Sequence, residues 1–219
     1  MKKITLWTAG LVLVLAAPAA ATHRPGHTPG GSGNLTAVAT PQTVVFGAAT
    51  VVAGKLSGNN SGAQQVTLTE DPFPYGGGYI NPLTVNTDAN GNYSFRDVPE
   101  SNRNYQVTVR GEKAFTGVRV RMRVSLAASD LTPARGQRVR FSGSVAPKHD
   151  GRQALIQRRS ATGVWVTVRR PTLRAVTTGN RSTYSTTMAI LRSGSYRARV
   201  LAHGDHVTGT SVTRVLRVH

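Results

Sequence analysis

β-Branched and aromatic residues gather in short runs along this chain, and nearly every run stops at Gly, Pro, Asn or Asp. The clearest run, Val118-Arg119-Val120-Arg121-Met122-Arg123-Val124, alternates apolar and basic residues without a fault. Successive side chains of a strand point to opposite faces, so such a run buries one face and leaves the other in water. No window sustains a period of 3.6, which excludes a helical core. Short strands separated by turn residues specify an all-β protein of sandwich type.

The first half offers Leu35–Ala39, Thr50–Gly54, Gln65–Thr69, Asn92–Phe95 and Tyr105–Val109 as strands. The second half offers Val118–Val124, Arg138–Ser142, Gln153–Gln157, Val164–Val168, Thr183–Thr186, Tyr196–Val200 and a last run from Ser211 to Val218. The halves share landmarks. Gly47 and Gly54 are seven residues apart, as are Gly136 and Gly143, and a proline (Pro41, Pro133) precedes each pair. Tyr93 and Tyr105 are twelve apart, as are Tyr184 and Tyr196. Matched spacings in one register point to an internal repeat. The expected fold is two tandem immunoglobulin-like antiparallel β-sandwiches, the first over 34–112 and the second over 117–219, with Gly111 to Gly117 as the boundary.

The run Thr87-Asp88-Ala89-Asn90-Gly91-Asn92-Tyr93-Ser94-Phe95 resembles the hairpin signature of bacterial immunoglobulin-like and carboxypeptidase-regulatory-like repeats. Gly136–Gly143 and Arg192–Arg197 resemble repeats of exported actinobacterial proteins. The resemblance covers most of the chain after its first residues and rests on turn and core motifs. It implies a spacer, an adhesion module or an accessory domain, and it implies no chemistry.

The N-terminal segment agrees with export. Lys2 and Lys3 precede an apolar stretch from Ile4 to Leu15, and Ala19-Ala20-Ala21 supplies small residues for cleavage, so 1–21 reads as a signal peptide. Residues 22–33, rich in Pro, Gly and Ser, read as a flexible leader. The apolar stretch is too short to span a bilayer, and no membrane insertion is expected. There are no cysteines. Disulfides, thiol catalysis and Cys-ligated metals are excluded, and each sandwich must be stable on its core alone.

Charge divides the chain. The net charge is +18. Residues 35–112 carry four basic and six acidic side chains, whereas 113–219 carry 20 basic and three acidic ones. A net of +17 on about 100 residues is well beyond the 2–8 or so that keeps a small domain soluble. Alternation places Arg119, Arg121 and Arg123 on one face, and places Arg138 and Arg140 opposite Val139 and Phe141. Immunoglobulin topology would join these five into one basic surface, with Arg197, Arg199 and Arg214 on the outer face of the other sheet. Two readings stand: attachment to an anionic polymer (cell wall, acidic polysaccharide or extracellular nucleic acid), or a solvated face whose arginines reflect genome composition.

Other constellations are weaker. His203-Gly204-Asp205-His206 resembles a set of metal ligands, but no third ligand is evident from spacing, and it reads first as a solvated turn. Asp88-Ala89-Asn90-Gly91-Asn92 has alternating oxygen donors yet reads as a turn between strands. The loop Asp71–Tyr79, with three aromatics, two prolines and three glycines, reads as packing over its own core edge rather than as a binding tip. No nucleophile elbow, phosphate loop or carboxylate pair appears, so no enzyme, cofactor, metal or small-molecule substrate is expected. The leading expectation is a secreted, non-catalytic interaction protein. The alternatives are a surface spacer without a ligand and, more remotely, a metal-dependent enzyme using the His203–His206 loop.

Overall fold

The computed structural model describes Gly30, Gly31 and residues 34–219. The segment expected to be a signal peptide (1–21) and most of the expected leader lie outside the described residues. In the first sandwich, β2 (Val38–Thr40), β4 (Thr50–Lys55) and β7 (Asn92–Asp97) form one sheet in that order. The facing sheet runs β1 (Gly30–Gly31), β9 (Glu112–Arg121), β8 (Arg103–Val109), β5 (Gln65–Pro72) and β6 (Ile80–Asn86). A further strand, β3 (Thr43–Val45), pairs in parallel along β9. Gly30 and Gly31, expected in the flexible leader, pair with Phe115 and Ala114.

In the second sandwich one sheet holds β10 (Arg123–Val124), β11 (Ala127–Ala128), β12 (Arg138–Ala146), β16 (Ser182–Ala189) and β15 (Arg174–Ala175). The other holds β14 (Trp165–Arg169), β13 (Leu155–Arg159), β17 (Gly194–Val200), β18 (Gly209–Thr210) and β19 (Arg214–Leu216). In each unit two sheets of hydrogen-bonded strands, with crossovers between them, enclose one core. That is the immunoglobulin-like arrangement.

The cores show where one unit ends. The first cluster, built around Val52, Val66, Tyr105 and Val107, closes with Val118 and Val120. The second begins at Met122 and is built around Phe141, Ile156, Tyr184 and Tyr196. The division therefore falls at Arg121/Met122 and not between Gly111 and Gly117. Arg110 and Gly111 both take positive φ (51° and 82°), and Val109 pairs with Glu112. They form a two-residue hairpin turn, whose twist matches that of the flanking strands. A glycine of this kind looks like a linker in sequence and is the tightest of connections in the fold. The alternating run 118–124 does bury its apolar face, but Val118 and Val120 enter the first core and Met122 the second.

The repeat landmarks have a shared physical role. Gly54 pairs with Tyr93, and Gly143 with Tyr184, across equivalent strands. The Tyr93 hydroxyl donates to the Thr36 carbonyl, and the Tyr184 hydroxyl to the Ser125 carbonyl. A Cβ on Gly54 would lie 1.8 Å from Thr36 O, and one on Gly143 would lie 2.1 Å from Ser125 O. Each glycine thus opens the space through which a buried tyrosine reaches the segment just before β2 in the first sandwich and between β10 and β11 in the second. Burial pushes both hydroxyl pKa values well above the usual range, so they stay protonated as donors.

Candidate polyanion groove and the junction between the sandwiches

The arginines expected to form one surface are separated. Arg119 and Arg121 stand exposed on β9, in the sheet of the first sandwich. Arg123 lies across the division on β10, where its guanidinium donates to the Phe46 carbonyl of the first sandwich at 2.6 Å. Arg138 and Arg140 do point outward from β12, with Val139 and Phe141 buried beneath them. On the opposite sheet, Arg197 and Arg199 are half-buried. Arg197 lies over the Trp165 ring, 4.2 Å from its centroid, and donates to Gln157 Oε1. Arg214 donates to the Leu126 carbonyl. The single basic surface expected from alternation fails because β9 completes the first sandwich, and because side chains on the second sheet are held by intramolecular partners.

A different cluster does converge. An open groove of about 980 Å³ crosses the outer face of the β10-β12-β16-β15 sheet. Arg140, Arg169, Arg170, Arg174 and Arg181 line it, together with Ser125, Ser142, Ser144, Thr183 and Ser185, and no carboxylate does. All five arginines are exposed. The local structure explains their placement. Leaving β14 at Arg169, the chain crosses at Arg170-Pro171 to the other sheet. Leu173 is fully buried and anchors this crossing in the core. Hydrogen bonds from Leu173 N to Arg152 O (2.7 Å), Gly151 N to Leu173 O and Ala154 N to Pro171 O fix its backbone. Arg174 then pairs with Thr183 and shares its outward face.

Four of the five, Arg169, Arg170, Arg174 and Arg181, were not among the expected binding residues. They lie in a crossover, at strand ends and in a two-residue edge strand, where alternation gives no signal. The dipeptide Arg169-Arg170 beside Pro171 was the only hint. The equivalent sheet of the first sandwich presents Val38, Val51, Ser94 and Arg96 instead. With the division at Arg121/Met122, residues 34–121 carry seven basic and six acidic side chains. Residues 122–219 carry 17 basic and three acidic ones, a net of +14.

The His203–His206 loop is not a solvated turn. It is wedged at the junction. Asn102 N donates to Asp205 O at 2.8 Å, Asn102 Nδ2 to Gly204 O at 2.9 Å, and Val207 N to Val120 O at 2.8 Å. The His206 ring is buried beside Phe46, with centroids 6.1 Å apart. The aromatic loop after β5, expected to pack over its own core edge, instead reaches across the junction: Phe73 stands edge-on to Tyr75 and covers Gly204 of the second sandwich, where a Cβ would meet the Phe73 ring at 2.4 Å. Tyr79 lies against Phe115. Asp88, the other oxygen-rich turn, spends both carboxylate oxygens on its own loop, accepting from Asn90 N, Asn92 N and Asn92 Nδ2. These bonds hold the Asp88 carboxyl below its usual pKa.

Strand order and pairing define the class: a protein of tandem immunoglobulin-like β-sandwiches, with one near-neutral and one strongly basic unit. No protein-family model matches the chain, and no curated protein matches it. Among solved structures, the crystal structure of the teleost fish polymeric Ig receptor ectodomain is similar at 8% identity with a TM-score of 0.34, over 84% of this chain and 98% of that one. No helix among the described residues is long and apolar enough to cross a membrane.

Proposed function

We propose that this is a non-catalytic secreted interaction protein whose second sandwich adheres to an anionic polymer of the cell envelope or its surroundings. The groove carries the reading: five exposed guanidiniums, from the crossover and the strands around it, surround a field of hydroxyls, with no acidic side chain in the lining. Guanidinium forks match phosphate, sulfate and carboxylate oxygens bidentately. Hydroxyls add donors and acceptors for a polyol backbone. The lining holds one aromatic residue, Tyr184, whose hydroxyl is committed to Ser125 O. Stacking on bases is therefore not what this surface offers.

The test is retention of the mature protein on acidic polysaccharide, purified cell wall and duplex DNA across a salt series. Binding by counterion release falls steeply between about 50 and 200 mM salt. Replacing Arg174 and Arg181 together with alanine is expected to lower the slope of log K against log salt on DNA by about 2, at roughly one per lost contact. Arg96→Ala, on the equivalent sheet of the first sandwich, leaves the slope unchanged. Equal retention of the Arg174/Arg181 variant and the wild type, or no retention at low salt, would leave a structural spacer as the function.

A further inference from the structure

We propose that His149, Asp205 and His206 bind one divalent transition-metal ion, zinc by its ligand chemistry, which clamps the loop on which the first sandwich rests. This is independent of the polymer groove. One ligand-capable atom from each residue lies within 4.8 Å of the other two. Asp205 Oδ2 is 3.0 Å from His206 Nδ1 and 3.7 Å from His149 Nε2. Ligand atoms about 2.0–2.2 Å from a tetrahedral zinc stand roughly 3.3–3.5 Å apart, so small side-chain adjustments complete the geometry.

Each imidazole keeps one ring nitrogen without a well-directed hydrogen bond. Both side chains are 4% exposed; His149 Nε2 has no partner, and His206 Nδ1 approaches Asp205 Oδ2 to 3.0 Å without the alignment of a hydrogen bond. A buried polar atom without a partner is costly in free energy. The other nitrogen of each ring is committed. His149 Nδ1 is 2.9 Å from the Pro147 carbonyl, and His206 Nε2 is 2.7 Å from the Glu100 carbonyl. A carbonyl only accepts, so these nitrogens carry the protons, and the orphaned ones face Asp205. Such outer hydrogen bonds orient metal-bound histidines. Asp205 is prepared in the same way: His203 Nδ1 lies 3.1 Å from Oδ1, leaving Oδ2 for the ion.

Two neutral imidazoles and one carboxylate suit zinc and leave a fourth position for water. Asp205, at 32% side-chain exposure, gives that position and the ion access to solvent. All three ligands belong to the second sandwich. Glu100 O, which orients His206, and Asn102, which holds the backbone of Asp205 and Gly204, belong to the first. The ion would therefore stiffen the loop that carries the junction.

Metal-free mature protein titrated with Co²⁺ is expected to bind one ion per chain, with the visible absorption of a tetrahedral site, and to release it to Zn²⁺. Asp205→Asn, which keeps the side-chain shape, and His149→Gln should each weaken Co²⁺ binding at least 100-fold. Replacing both leader histidines, His23 and His27, with alanine should change nothing. Saturating Zn²⁺ should raise Tm by several degrees in the wild type and not in Asp205→Asn. Should either substitution unfold the chain, imidazole NMR of the wild type decides: Zn²⁺ must shift the rings of both His149 and His206. Co²⁺ binding that survives His149→Gln, shifts confined to His23, His27, His203 or His219, or no binding at a tenfold excess of Co²⁺ would each overturn the proposal.

Discussion

Gly143→Ala is expected to destabilise the second sandwich by about 3 kcal/mol or more, the upper end of what an overpacked core costs. Its backbone has an ordinary negative φ, so the penalty is one of space alone. The added methyl would stand 2.1 Å from Ser125 O and 2.5 Å from the Tyr184 hydroxyl. The nearer atom is backbone and cannot swing aside. Tyr184→Phe, which removes only the hydroxyl and its bond to Ser125 O, should cost about 1 kcal/mol and should not rescue Gly143→Ala. For a domain of about 100 residues, 3 kcal/mol corresponds to a fall in Tm of roughly 12–24 °C. Calorimetry will show whether one transition moves or two. A fall in Tm of less than about 4 °C, near 1 kcal/mol, would mean that the Gly–Tyr–carbonyl contact is not the constraint the repeat spacing preserves.

Arg103→Ala should have an effect of similar size on the first sandwich. Arg103 is 7% exposed, and its Nη1 contacts Glu70 Oε2 and lies 3.5 Å from Asp97 Oδ2. Tyr105, buried and held protonated first by that burial and then by its bond to Asp97, donates to the same Asp97 oxygen. Removing the only cation of this group leaves the largely buried Glu70 and Asp97 carboxylates without a counter-charge. Breaking such a buried pair costs about 3–5 kcal/mol, chiefly through the uncompensated charge. Adding Glu70→Gln should recover part of the loss at neutral pH. Urea denaturation of the single and double variants at pH 7 measures both, and a deficit that Glu70→Gln does not reduce would point to lost packing instead.

Sequence legibility followed the strength of local physical signals. Alternation located the inward faces of β12 and β17, because burying one side of a sheet imposes a period of two. Gly54, Gly143, Tyr93 and Tyr184 were visible as a repeat because a single steric contact fixes all four. The division between the units was misplaced because Arg110-Gly111 makes a hairpin turn, and turn and linker glycines look alike. Alternation from Val118 to Val124 also runs across the true division, since one extended chain feeds two cores in succession. The five-arginine groove could not be read, because its residues come from a crossover and three strands and meet only through pairing. The same holds for His149, which lies more than 50 residues before Asp205. Spacing finds ligands on one loop and is blind to those that topology delivers.

The extended chain that runs from β9 through Met122 into β10, buttressed by Phe46, Phe73, Asn102 and the His203–His206 loop, also gives the molecule a built-in electrical polarity. A unit of net +1 is fused to one of net +14 without a free hinge. Such a body carries a large dipole, and a charged surface exerts a torque on it at distances of about a Debye length, some 8–10 Å in physiological salt. Near an anionic layer it would turn before it touched, landing with the basic end down. The neutral unit would then face outward on every copy, and whatever its surface displays would be presented as an aligned array rather than at random.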